Sequence, residues 1–589
     1  MEKSSQDNNI IQLETSLGKD VLHLTKFSIK ESMSAPFLIV VSCYTNGVKI
    51  SPKDVIGKSV NIKLAYQNGY IFDVRYFHGV VTQIYGLGSR VPSEAEGEKY
   101  KDYQLCIEPA ITFLKQRKNC RVFQNLTVVQ ILETILGEYA DVKFSFEHQQ
   151  SYTPFEYKTQ YNESDYDFVH RLLEESGIYY FFEYDKSCHR LIFSDDVSAY
   201  RDAIETPVVF TTGSYAKAHV HSWTDSLSIP CGKRNDIGYD FLSPSTYHIT
   251  NAENTNLSKQ QQQTEVFTYH AESSRNAELQ KYTDISLDAS QLGQEKFSGG
   301  SLCSTFSVGQ CFMFSKHEDP SFKNRNFLIT ELDLTVEITS QTGAVKQGEQ
   351  ILHNTFTCIP KEVLFRPAQI TARPLIYGAQ TAIVTGNSDE EIHVDEHGRI
   401  KVLFHWDRLG KADTSSSCWV RVAQSWAGNG FGSFFLPRVG QEVVVSFLEG
   451  DPDQPIITGS LYNGGQRPPY ELPTKRHHSG IKTRSTKGGG ASNFNELRFV
   501  DDKGNELLYL QAEKDLQTEV KQCQRDKVGK NLVIDVGNNT NLVSGDSITI
   551  KTGGASITMS SGGDIEIKGT SIKINGSSIA LSGGSISLN

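Results

Sequence analysis

Along most of this chain apolar and polar residues alternate with a period of two, the pattern of strands that bury one face. Phe37-Leu38-Ile39-Val40-Val41 and Val60-Asn61-Ile62-Lys63-Leu64 are such runs, and Asn46-Gly47 and Asn68-Gly69 supply hairpin turns between strands. Residues 21–122 therefore predict β-barrel material. The period changes to that of a helix in two places. Val128, Ile131, Leu132 and Ile135 form one stripe within residues 127–139, and Phe168, Leu172 and Leu173 another within residues 164–176. Ser164, followed by Asp165 and Asp167, suits the positive end of the second helix, and Gly177 its stop. A strand is expected at once over residues 178–183. Residues 256–294 are polar, with a helix expected around 276–282, and strands return between 304 and 370.

Near residue 375 the texture changes. Short strand signals at residues 382–385, 400–406, 418–422 and 442–447, with Ile456-Ile457 as a fifth, predict a small closed barrel of the OB type. Arg467-Pro468-Pro469-Tyr470 and Pro473 mark a stiff exit from it, and Lys487-Gly488-Gly489-Gly490 a flexible one. Residues 495–511 read as a hairpin turning at Lys503-Gly504-Asn505.

The tail repeats one phrase six times: Ile548-x-Ile550, Ile557-x-Met559, Ile565-x-Ile567, Ile572-x-Ile574, Ile579-x-Leu581 and Ile586-x-Leu588. The pairs start nine, then eight, then seven residues apart, and glycines fill the gaps as corners. Apolar residues two apart share one face of a strand; a heptad helix would need them three and four apart. One chain cannot hold such a ribbon, because ordering seven backbones per repeat costs more than burying two side chains returns. Several copies wound around a shared apolar axis would close the edges. A flexible Gly/Ser tail has no reason to place Ile at every second position.

Composition narrows the function. At 589 residues the chain has material for several cores, and a net charge of −11 with no basic run argues against nucleic acid as a partner. Ten scattered cysteines form no C-x-x-C pair or metal-finger spacing. The N-terminus lacks the apolar stretch of a signal peptide, and no eighteen apolar residues run together, so export needs a machine. No metal, cofactor or catalytic site is expected. His397 beside Asp395 and Glu396, and Asp451-Pro452-Asp453-Gln454-Pro455, read as turns. His477-His478, on alternating faces, reads as surface, and Glu174-Glu175 as carboxylates pointing apart. Cys188-His189 is no demonstrated dyad, Lys487-Gly488-Gly489-Gly490 no phosphate loop, and His78 a structural strand residue.

Four longer motifs carry a resemblance. They are Gln160-Tyr161-Asn162-Glu163-Ser164-Asp165-Tyr166-Asp167-Phe168, running on to Arg171-Leu172-Leu173-Glu174-Glu175-Ser176-Gly177; Asp395-Glu396-His397-Gly398-Arg399-Ile400-Lys401-Val402 with His405-Trp406-Asp407; Leu436-Pro437-Arg438-Val439-Gly440-Gln441-Glu442-Val443 with Glu449-Gly450-Asp451-Pro452-Asp453-Gln454-Pro455; and Asn495-Glu496-Leu497-Arg498-Phe499-Val500-Asp501-Asp502-Lys503-Gly504. In this order, over nearly the whole chain, they resemble the VgrG family, the trimeric spike of bacterial type VI secretion.

The resemblance implies a mainly β fold. Residues 1–374 would form a phage-hub-like domain of two β-barrel subdomains with inserted helices, 375–465 an OB-fold domain, 466–526 a linker and needle neck, and 527–589 an intertwined triple-stranded β-helix. It implies a homotrimer on the tip of an Hcp-like tube hexamer, contacts with baseplate components, a PAAR-repeat tip protein docked on Ile586, Ser587, Leu588 and Asn589, and effectors and adaptors riding along. The protein would stay cytoplasmic until assembled and then pass transiently through a membrane as it is secreted or injected. An enzyme-bearing spike is the competing class, but the chain stops next to its last repeat and residues 464–526 are too few for a lysozyme-sized domain. A phage-tail spike shares the fold.

Overall fold

The computed structural model of the chain describes residues 5–7, 9–46, 48–68, 71–90, 100–213, 215, 217–244, 248–254, 257–271, 276–338 and 350–587. Residues 5–511 and 512–587 fall in separate compact units.

In the first unit a 13-stranded sheet organises the hub. Strand Leu38–Asn46 shows why it forms: every second side chain, Ile39, Val41 and Cys43, is buried and the alternate ones face outward. Strand His23–Ser32 then pairs on one side with Leu38–Asn46 and on the other with Asn326–Ile338, so that Ile29 lies opposite both Ile39 and Leu334. The strands near residue 30 and those near residue 330 are thus parts of one sheet and one apolar core. The glycines of the expected turns, Gly47 and Gly69, lie outside the described residues; the strands beside Asn68 pair antiparallel.

Among the described residues three α-helices are laid on this frame. Helix α1, Val128–Leu136, opens with a reciprocal capping box between Thr127 and Gln130. Helix α2, Asp165–Ser176, starts where Ser164 Oγ accepts the Asp167 N–H and stops at Gly177, whose φ of 68° is left-handed. Helix α3, Asn276–Gln291, runs past the expected end near residue 282, because no glycine or proline interrupts it and Leu279, Ile285 and Leu287 stay buried.

Beyond residue 375 a five-stranded sheet joins Lys401–Phe404, Gln380–Thr385, Glu442–Phe447, Pro455–Leu461 and Arg421–Val422, and an Ile400–Val420 bridge links its two ends into a barrel. Ala382, Val384, Val402, Phe404, Val443, Val445 and Ile457 fill it. Three further strands, His478–Lys482, Glu496–Val500 and Leu507–Gln511, form a small antiparallel sheet. Among the described residues no helix is long and apolar enough to cross a membrane.

Candidate assembly interface

In the second unit the strands Ser547–Thr552, Ala555–Ser560 and Ile565–Lys568 form an antiparallel meander. Its register sets Ile548 opposite Met559, Ile550 opposite Ile557, Ile557 opposite Ile567 and Met559 opposite Ile565. Six repeat residues therefore share one face, and that face is open: Ile550 is 60% and Ile565 69% exposed. A contiguous exposed isoleucine face of this kind marks an interaction surface. Ile572, Ile574, Ile579, Leu581 and Ile586 are also exposed, in a stretch without strands. Ser587 is exposed, and Leu588 and Asn589 lie outside the described residues.

The small sheet that ends the first unit repeats this arrangement. Ile481 lies opposite Leu497, Leu497 opposite Leu510, and Phe499 opposite Leu508, all on one face and all exposed. The sequence reading missed this face, and also the alternation of Leu532, Ile534 and Val536, three exposed residues upstream of the first Ile-x-Ile pair. The signal for them is the same spacing of two without the glycine corners.

A second set of residues fixes hub to barrel. Lys158 Nζ stands 3.0 Å from Glu175 and 3.1 Å from Asp453. The Asp453 carboxylate also accepts the Thr159 N–H at 2.7 Å, so the Asp451 to Pro455 turn, whose Asp453 N–H is held by Asp451, is a docking element as well as a turn. Burial pushes the Glu175 carboxyl up, but Lys158, Arg373 and Arg171 together hold it down at about 2. Its neighbour Glu174 accepts the Ile370 and Thr371 N–H groups and the Thr371 hydroxyl, gripping the segment that leads into the barrel. The Gln160 to Asp167 motif is likewise structural. Fully buried Asp165 accepts from Arg117 at 2.5 Å, Arg121 at 3.0 Å, Gln160 at 2.7 Å and Tyr139 at 2.8 Å, while Glu163 pairs with Arg171 at 2.7 Å.

The residues weighed for chemistry have other duties. Asp395 accepts the backbone N–H of His397 and of Arg399, closing a turn. Gly488 gives its N–H to Glu391, and the rings of His477 and His478 lie at 72° to each other. Cys188 points its thiol at Asp185, away from any pairing with His189. His189 instead meets His78, their Nδ1 atoms 2.9 Å apart, while its Nε2 accepts the Ala110 N–H. In the sequence His78 and His189 lie 111 residues apart and carry no sign of this contact. None of the ten cysteines is in a disulfide, and among the described residues no cluster of three His, Cys, Asp or Glu side chains could hold a metal ion.

A hub sheet, an OB barrel and exposed apolar ladders define a phage-type hub-and-spike protein. Comparison with known proteins agrees. Residues 30–340 match the phage tail baseplate hub (GPD) family, 380–462 the type VI secretion system/phage-baseplate injector OB domain, and 479–577 the bacteriophage T4 gp5 C-terminal trimerisation domain. The type VI secretion system spike protein VgrG1b of Pseudomonas aeruginosa is 32% identical over 89% of this chain and 70% of its own length. The actin cross-linking toxin VgrG1 of Vibrio cholerae is 31% identical over 87% of this chain but only 47% of its own length. The solved structure of the E. coli c3393 protein, described as a type VI secretion component similar to the T4 tail proteins gp27 and gp5, has the same fold. Its TM-score is 0.54 at 23% identity, covering 76% of this chain and all of that one. The chain belongs to the VgrG family of type VI secretion spike proteins, and its role is that of a structural spike.

Proposed function

We propose that three copies of this chain form the spike that a contracting type VI machine drives into a target cell, and that the work of this chain is force transmission, with no catalysis of its own. The observation that carries the reading is the open isoleucine ladder from Ile548 to Ile567, inside the segment that matches a trimerisation domain. Winding three copies together covers Ile548, Ile550, Ile557, Met559, Ile565 and Ile567, extends the same core through Ile572, Ile574, Ile579, Leu581, Ile586 and Leu588, and leaves no free strand edge. A rod without edges resists bending and unfolding under axial load.

Residues 1–374 are the hub, which sits on an Hcp-like hexamer and meets the baseplate; 375–465 are the OB domain, 466–526 linker and neck, and 527–589 the needle. A PAAR-repeat protein docks on Ile586, Ser587, Leu588 and Asn589, and effectors with their adaptors travel on the assembly. The protein is cytoplasmic until loaded and is then injected. The test is to delete the chain from its bacterium and measure release of the tube protein into the medium. Release should fall to background and return with the intact chain; undiminished release would reject the spike role. A phage-tail spike is the second reading, favoured by the shared hub, OB and gp5-type trimerisation matches, and neighbouring genes for a phage capsid would select it.

A further inference from the structure

The segment from Gln424 to Phe435 has no part in the ladders or the hub joint, yet it is built with care. Ala427–Gly428 pairs with Phe431–Gly432 as a minimal hairpin turning at Gly430, whose φ is 77°. At its base the Gln424 side chain bonds both the N–H and the C=O of Phe435, the Ser425 and Ser433 hydroxyls meet at 2.6 Å, and Ser433 N–H donates to Trp426 O at 2.9 Å. Gly432 is a steric requirement, and Gly428 lets the Phe431 ring lie over the backbone. A Cβ on Gly432 would fall 2.3 Å from Trp426 O, and one on Gly428 2.4 Å from the Phe431 ring.

This rigid hairpin holds its aromatic side chains in water. Trp426 is 65%, Phe431 60%, Phe434 65% and Phe435 57% exposed, with the Trp426 and Phe431 rings packed edge to face at 5.5 Å. Preordered aromatic residues of this kind lose little entropy on binding and are the side chains that dominate protein interfaces. Just beyond Phe435, Arg438 donates to the Arg484 carbonyl at 2.7 Å, which ties the hairpin to the small sheet whose open face carries Ile481, Leu497 and Phe499. That sheet begins the segment matching a trimerisation domain.

We infer that the hairpin is an inter-subunit clasp: Trp426, Phe431, Phe434 and Phe435 dock on the neighbouring copy of this chain, forming a collar of aromatic contacts at the barrel domain. The inference rests on the trimeric spike reading. Its occupant is a second copy because the Arg438 bond to Arg484 joins the hairpin to the segment that matches a trimerisation domain.

The experiment replaces Phe434 in the full-length chain by the photo-reactive residue p-benzoylphenylalanine, an aromatic substitution that keeps the hairpin filled. Light scattering gives the native mass of the sample, and illumination is followed by denaturing electrophoresis. Bands at two and three times the chain mass, lost when the sample is unfolded in urea before illumination, are the expected result. A trimeric mass with no such bands would overturn the clasp and leave the spike reading intact. A monomeric mass would overturn both.

Discussion

Lys158 and Asp453 form an ion pair at 3.1 Å, although one lies in the hub and the other in a turn of the OB barrel. Lys158 is buried, and its ammonium is shared with Glu175 at 3.0 Å. The pair is one of several contacts that join hub to barrel, with Gln124–Ser415, Gln380–Tyr161 and Arg408–Asn119, and a buried charge that loses a partner is costly. Asp453→Ala should destabilise the joint by about 2 kcal/mol, since a hydrogen bond to a charged group contributes roughly 1.5–3 kcal/mol. Limited proteolysis would report it as faster cleavage within residues 361–375, with the hub strands still protected.

Asp165 is the more severe position. With no exposure of its own it serves Arg117, Arg121, Gln160 and Tyr139 at once, and Arg121 is itself buried. Asp165→Asn preserves shape but removes one of the two carboxylates that Arg117 and Arg121 share, Glu138 being the other, an effect of roughly 1.5–3 kcal/mol. Urea unfolding of the hub should move to markedly lower concentration; an unchanged midpoint would mean that water replaces the carboxylate.

Acid should weaken the fold in separable steps. Burial, reinforced by His78, lowers His189 to about 3, below the ordinary value near 6.5, so the unfolded chain takes up this proton first and stability falls as pH drops from 6.5 towards 3. Glu175, held at about 2 against an ordinary 4.5, adds its own loss only below pH 4.5 and down to 2. His189→Gln should flatten the upper part of a stability profile against pH, and Glu175→Gln the lower part. Neither group contributes a slope between pH 7 and 8.

The ladder predicts opposite behaviour for adjacent residues. Ile557 lies on the apolar face between Ile550 and Ile567, whereas Thr558 faces the other way, opposite Thr549 and Glu566. Ile557→Asp would bring carboxylates together on the shared axis and should abolish the trimer. Thr558→Asp should leave the native mass unchanged. Equal effects from the two would contradict a core placed on the Ile-x-Ile face.

Local features of this fold were readable in the sequence, because their causes are local. The Ser164 cap, the Gly177 stop and the barrel strands around Ala382, Val402, Val443 and Ile457 follow from neighbouring residues alone. What could not be read were pairings between distant segments. Nothing near Ile29 announces Leu334 as its cross-strand partner, and nothing in the Asp451 to Pro455 turn announces Lys158 and Thr159. His78 and His189 each look like isolated strand histidines until the sheet brings their rings together. In the tail, glycine corners make Ile548 to Leu588 conspicuous, while Leu532, Ile534 and Val536, inside the 527–589 needle segment and with the same spacing but no corners, do not stand out as core positions.

The most direct test of the spike is the native mass and shape of the purified full-length chain beside a version truncated after Asp526. Intertwined copies predict an elongated particle of three times 65.7 kDa that loses its rod on truncation. A compact particle of 65.7 kDa, unchanged in shape by the truncation, would contradict it.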